Sequence, residues 1–187
     1  MRASHPTLVA ASRAIAAQRD TMLDRWSRWL GERLTTSRTV SRPMVDRELE
    51  LILDTLGSMV GPLRRETKPI WARVTEHYGR LAAARGLAAG EVVEEMQYLR
   101  ELLIRYLAPA IAALRPRQGM ALLLRLNRIV DQGVGMAVIG YTDAIVNTLL
   151  TQADGEPPTA AFDPDQAARE LSSMERALAV IAARNAA

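Results

Sequence analysis

The 187-residue chain contains no cysteine. That excludes disulfides, thiolate metal sites and cysteine nucleophiles, and it fits a reducing, cytoplasmic compartment. Lysine is nearly missing as well: Lys68 stands alone among 24 basic residues, the rest being arginine. With no lysine after it and no strand before it, Gly133-Val134-Gly135 is neither a phosphate loop nor a dinucleotide fingerprint. There is one phenylalanine, and there are two histidines, His5 and His77. Long apolar runs are lacking too. The longest uncharged stretch, Gln132 to Thr142, falls far short of the ~20 residues that cross a bilayer. Met1 to Pro6 lacks the apolar centre of a signal peptide. These features predict no membrane partner.

What is present is helix-forming. The chain is 49% hydrophobic and 24% charged, rich in alanine and leucine, which favours helix over sheet. Its length suits one continuous core, with room for an appended helix. The net charge of +3 is small, and 21 acidic residues lie scattered among the arginines. Nucleic-acid binders gather their basic residues into a stripe or patch. Here the densest basic run, Leu114-Arg115-Pro116-Arg117, reads as a turn, so no nucleic-acid partner is expected.

Hydrophobic periodicity predicts five to six helices in an all-α bundle. The first spans residues 7 to 34, with Thr7 as N-cap. The second begins at Ser41-Arg42-Pro43 and stops at Gly61-Pro62. A third starts near Pro69, carries Ile70, Trp71, Val74, Tyr78 and Leu81 inward, and ends at Arg85. Gly86 follows as the residue free to take positive φ. The fourth runs from Ala88 to Leu107, and Pro109 and Pro116 confine the next segment to a short or bent piece. A long helix, Gln118 to Thr151, holds Gly133, Gly135 and Gly140. Each costs about 1 kcal/mol relative to alanine, which close helix packing would offset. Domain boundaries follow: a helical domain over 1–152, a linker over 153–162 and a C-terminal helix over 163–187 that either leads on as a signalling helix or folds back and caps the bundle.

Candidate chemistry is thin. His77 admits two readings, a haem ligand or a structural imidazole bonded to a carboxylate on an adjoining helix. A lone internal histidine and a single phenylalanine argue against haem, and no cofactor is expected. Glu91 and Glu94 fall toward solvent, whereas Glu95 borders Val92, Met96 and Leu99. In a hairpin turning at Arg85 to Ala88, Glu95 lies opposite His77 to Arg80, which predicts a charged hydrogen bond across the hairpin. The paired Glu-x-x-His motifs of di-iron bundles do not occur, so no metal is expected. Trp26, Trp71 and Tyr98 are candidates to border a ligand cavity, and Gly133, Gly135, Gly140 and Tyr141 to form a dimer interface. Asn127, Asp131, Asp143 and Asn147 make two i, i+4 pairs, at an interface or facing water. No serine or lysine nucleophile is flanked by a base, so catalysis is not expected.

The runs His77-Tyr78-Gly79-Arg80, Arg85-Gly86-Leu87 and Val92-Val93-Glu94-Glu95-Met96-Gln97-Tyr98-Leu99-Arg100 resemble one bacterial regulatory module. It is the N-terminal sensory domain of RsbT co-antagonist proteins of the RsbR/RsbRD kind, also found ahead of some sensor histidine kinases. His77, Gly86, Glu95, Leu99 and Arg100 fit its pattern, and the likeness concentrates in about thirty residues. The resemblance implies a cytoplasmic, dimeric, globin-like or bundle-shaped domain that passes a stress or partner signal to an attached STAS or kinase output module. This chain departs by ending at Ala187 with neither output. Dimerisation is expected through the C-terminal helices, including the apolar stripe of residues 171 to 181. The alternative is a small-molecule or haem-binding carrier with a cavity near Trp26, Trp71 and His77.

Overall fold

The computed structural model describes residues 5–33, 40–153 and 162–186. They form six helices: α1 (His5–Arg33), α2 (Arg42–Val60), α3 (Arg64–Ala84), α4 (Ala89–Ala112), α5 (Pro116–Ala153) and α6 (Pro164–Ala186). No strand occurs among the described residues. The chain is an all-α helical bundle, as its periodicity predicts. The expected linker, apart from its two ends, lies outside the described residues.

The central element is α3, which packs most extensively on α5 and then on α2 and α6. Against α2 and α4 lies α1, and α4 lies in turn on α5. Both α5 and α6 rest on α3 without packing on one another. One apolar core joins all six helices, from Ile15, Met22 and Trp26 of α1 to Leu171 and Met174 of α6. The C-terminal helix is therefore built into the bundle. Its stripe of Leu171, Met174 and Leu178 is buried against its own chain, which corrects its expected role at a dimer interface. Two polar ties fix it: Arg47 forks onto Glu175 and reaches Ser172, and Arg80 holds Glu170 at 2.6 Å.

Several helix ends differ from expectation for reasons the backbone supplies. Thr7 is buried inside α1, which begins at His5; the fixed φ of Pro6 suits a first turn rather than a cap. Similarly, α3 begins at Arg64 and runs through Pro69. The carbonyl that loses its partner there belongs to exposed Arg65, where water can satisfy it. Pro109 lies inside α4 on the same terms, opposite exposed Arg105. Of Pro109 and Pro116, only Pro116 acts as a boundary, opening α5. Ser41 occupies the N-cap position of α2 with extended backbone, but its hydroxyl makes no capping bond. At the other end of α2, Arg125 of α5 donates to the Gly61 carbonyl at 3.0 Å, satisfying an end-of-helix acceptor.

Candidate functional site

The α3–α4 turn is closed by backbone geometry. Gly86 has φ +82, and the Gly86 and Leu87 N–H groups donate back to Ala83 and Ala82 at 2.9 and 3.2 Å. This is the paired-bond ending that glycine permits after a helix. On the far side of the turn, Glu91 accepts the Ala88 N–H at 2.6 Å. Tyr141 of α5 donates to the Leu87 carbonyl at 2.8 Å, so the turn is bolted to the long helix.

Beneath the turn lies the charged bond predicted for Glu95, and its cation sits at the turn, just beyond the stretch from His77 to Arg80. Arg85 forks onto the Glu95 carboxylate at 2.7 and 3.1 Å. Tyr78 donates to the same carboxylate, and the guanidinium lies 5.5 Å from the Tyr78 ring centre. All three side chains are buried. Burial, and then the Glu95 charge, push the Tyr78 phenol far above its usual range, so it remains a donor. Arg80 instead joins Glu76 and Glu170. Glu91 and Glu94 are exposed, as expected.

A second buried carboxylate is the residue that sequence reasoning missed. Glu48 of α2 is 0% exposed and its Oε2 stands 2.7 Å from His77 Nδ1. Its other oxygen has no partner among the described residues. Burial pushes the Glu48 carboxyl above its ordinary value, opposed only in part by His77, Arg80 and Arg85. His77, itself 2% exposed, thus takes the structural reading, although its carboxylate comes from α2. A signal for Glu48 was available: it sits at helical spacing between Val45 and Ile52, within an apolar stripe.

The other face of His77 looks onto a cleft of about 310 Å³ bounded by α3, α5 and α6. Its Nε2 stands 4.0 Å from Glu170 Oε2, beyond hydrogen-bond reach. Glu170 accepts from Gln166 at 3.0 Å and from Arg80. Burial works to raise the Glu170 carboxyl, yet the Gln166 bond and the Arg80 guanidinium outweigh it and leave it below its usual value. Among the described residues no three carboxylates or imidazoles converge as metal ligands would.

The aromatic cavity is corrected. Trp26 and Trp71 are fully packed in the core, Trp26 against Tyr78 with ring centres 6.0 Å apart. The Trp71 indole donates to the Ile129 carbonyl at 3.1 Å. Tyr98 stacks on Trp29 at 4.4 Å. None of the three lines the cleft that His77 borders.

The proposed dimer-interface glycines are corrected likewise. A Cβ on Gly140 would lie 2.0 Å from the Glu76 carbonyl oxygen, and one on Gly79 1.9 Å from that of Ala137. At Gly133 it would meet the Trp71 ring at 2.6 Å. These residues let α3 and α5 cross backbone to backbone, which is the offset their cost demands. Of the three candidates Gly133, Gly135 and Gly140, only Gly135 faces open space. Leu99 is buried core, and Arg100 pairs with Asp131, which fixes one member of the polar series on α5. Asp143 and Asn147 face outward.

Comparison with protein-family models, with curated proteins and with solved structures finds no match to this chain.

Proposed function

We propose that the chain is a non-enzymatic bacterial signal-input domain, of the kind its α3–α4 signature resembles. It acts by pairing with a second copy and relays a stress, ligand or partner signal through that contact, or through an attached STAS or histidine-kinase output module. One observation carries this reading: the C-terminal half of α5 turns an apolar face outward. Leu149 and Leu150 are 59% and 60% exposed, and Ile139 and Val146 are exposed beside them. Ile139, Thr142, Val146 and Leu149 recur at the three-and-four spacing by which two helices seam together. An apolar face of this kind on a folded domain marks an interaction surface. The signature residues support a relay rather than a reaction. His77, Gly86, Glu95, Leu99 and Arg100 all hold α3, α4 and their neighbours in place, and none is aimed at a reacting partner.

Length and apolar content would also let α5 cross a membrane, and most of that stretch is unburied. Pairing is the better reading because the same helix packs on both α3 and α4 and carries the Asp131–Arg100 pair. Sedimentation at tens of micromolar, where an interface of standard size holds, is expected to give a dimer. Val146→Glu with Leu149→Glu should give a folded, helical monomer whose melting temperature no longer depends on concentration. A wild-type monomer, or co-flotation of the protein with anionic lipid vesicles in place of dimerisation, overturns the reading.

A further inference from the structure

We propose that the cleft between α5 and α6 is a binding site for a small amphipathic amine, whose ammonium head sits between His77 and Glu170 and whose apolar body lies along Ala84, Ile145 and Phe162. This goes beyond the pairing of α5 and does not depend on it.

The space exists because of how the bundle is assembled. Both helices rest on α3 and neither packs on the other, so a gap of about 310 Å³ opens above the α3 surface. That volume is at the lower end of ordinary ligand pockets, which run from roughly 300 to 1,000 Å³. Its walls have the usual composition of such pockets, an apolar lining with a few convergent polar groups. The chain's only phenylalanine, Phe162, is placed in the lining.

The polar end selects the head group. With a carboxylate oxygen 2.7 Å from Nδ1, the His77 tautomer is assigned as Nδ1–H, leaving the Nε2 lone pair toward the cleft. Glu170, held ionised by Gln166 and Arg80, offers a second acceptor 4.0 Å away. One nitrogen set ~2.8 Å from each can donate to both, since two N–H bonds of an ammonium diverge by about that geometry. Among the described residues Arg80 is the only arginine in the lining, and its guanidinium is taken up by Glu76 and Glu170. Asp163 adds a further acid at the rim. An anionic head would meet two carboxylates and no uncommitted cation; a neutral hydroxyl would satisfy one acceptor with one proton. A cationic donor fits both. Because such a ligand would touch α3, α5 and α6 together, its occupancy would tie α6 to the helix that carries the outward apolar face.

The test is calorimetric titration with phenethylammonium, 2-phenylethanol and 3-phenylpropionate at about pH 8, where the amine is protonated and the acid ionised. The amine is expected to bind saturably, the alcohol about tenfold more weakly, and the carboxylate not at all. Glu170→Gln should weaken the amine about tenfold while leaving the alcohol unchanged. Ala84→Leu, which places a side chain in the cleft, should abolish binding of both, with circular dichroism melts checking that each variant is folded. His77 is left intact because removing it strands Glu48. Absence of saturable amine binding up to about 10 mM (a limit of weak association), equal binding by amine and alcohol, binding by the carboxylate, or an Ala84→Leu variant that still binds overturns the proposal.

Discussion

The two sides of α3 are built on opposite terms. Toward α4 and α5 the packing is close: backbones touch at Gly79 and Gly140, and both oxygens of Glu95 are bonded, leaving only the Arg85 Nε of that ion pair without a partner among the described residues. Toward α2 and α6 the packing is unfinished. Glu48 has one oxygen without a partner among the described residues, the His77 Nε2 stands 4.0 Å from Glu170, and a cleft stands open above it. Both sides bury a carboxylate, yet only one completes its hydrogen bonds. A buried ionic group that is fully bonded fixes geometry; one left half-bonded keeps a protonation choice. The first side reads as scaffold, and the second is where a change in protonation or occupancy would alter the molecule.

The sharpest way to break the closed side is to add one methyl group. In Gly140→Ala the new carbon meets a carbonyl oxygen of α3 at 2.0 Å, and no side chain can rotate away to relieve it. A loss of about 4 kcal/mol is expected, beyond the usual 1–3 for overpacking, or failure to fold. Gly135→Ala, five residues away in open space on the same helix, should raise stability by about 0.5–1 kcal/mol. Chemical denaturation of the two variants checks the pair. Equal effects would mean that the crossing is not as close as described. Glu95→Ala comes next. It strands the buried Arg85 cation and should cost about 3 kcal/mol. The double variant Arg85→Met/Glu95→Leu should recover most of that, leaving the Tyr78 hydroxyl unpaired at about 1 kcal/mol.

These effects also mark what the sequence could carry. Period and spacing placed all six helices, the Gly86 turn and the buried position of Glu95, because each is a local rule of backbone or face. Spacing did not name the cation for Glu95, since the choice among the basic residues of α3 and its turn depends on where α6 lies, and α6 takes Arg80 through Glu170. Gly133 and Gly140 announced a close crossing by their cost inside a helix, but not its partner. An intrachain crossing and a dimer seam leave the same pattern. Trp26 and Trp71 looked like cavity walls because large aromatics line pockets and cores alike. The cleft had no sequence signal, since it arises from two helices failing to touch.

The smallest effect tests the open side and is one of pH. The Glu48 carboxyl is raised in the folded state, so below its unfolded value of 4.5 it carries a proton in both states and makes no pH-dependent contribution. As pH climbs from there through the folded value, the unfolded chain releases that proton first. Stability attributable to Glu48 is lost over that window and then levels off. Glu48→Gln has no proton to lose and keeps a carbonyl for the His77 N–H. Its stability relative to the parent should therefore improve as pH rises above 4.5 and through the folded value, and not in acid. Glu170, with its carboxyl lowered, slopes the other way: its contribution is present above the unfolded value and fades as pH falls through the folded one. Denaturation midpoints of the parent, Glu48→Gln and Glu170→Gln across this range separate the two slopes. A Glu48→Gln difference that stays flat with pH would mean that Glu48 is completed by a bond on its second oxygen, and the contrast between the two sides of α3 would go with it.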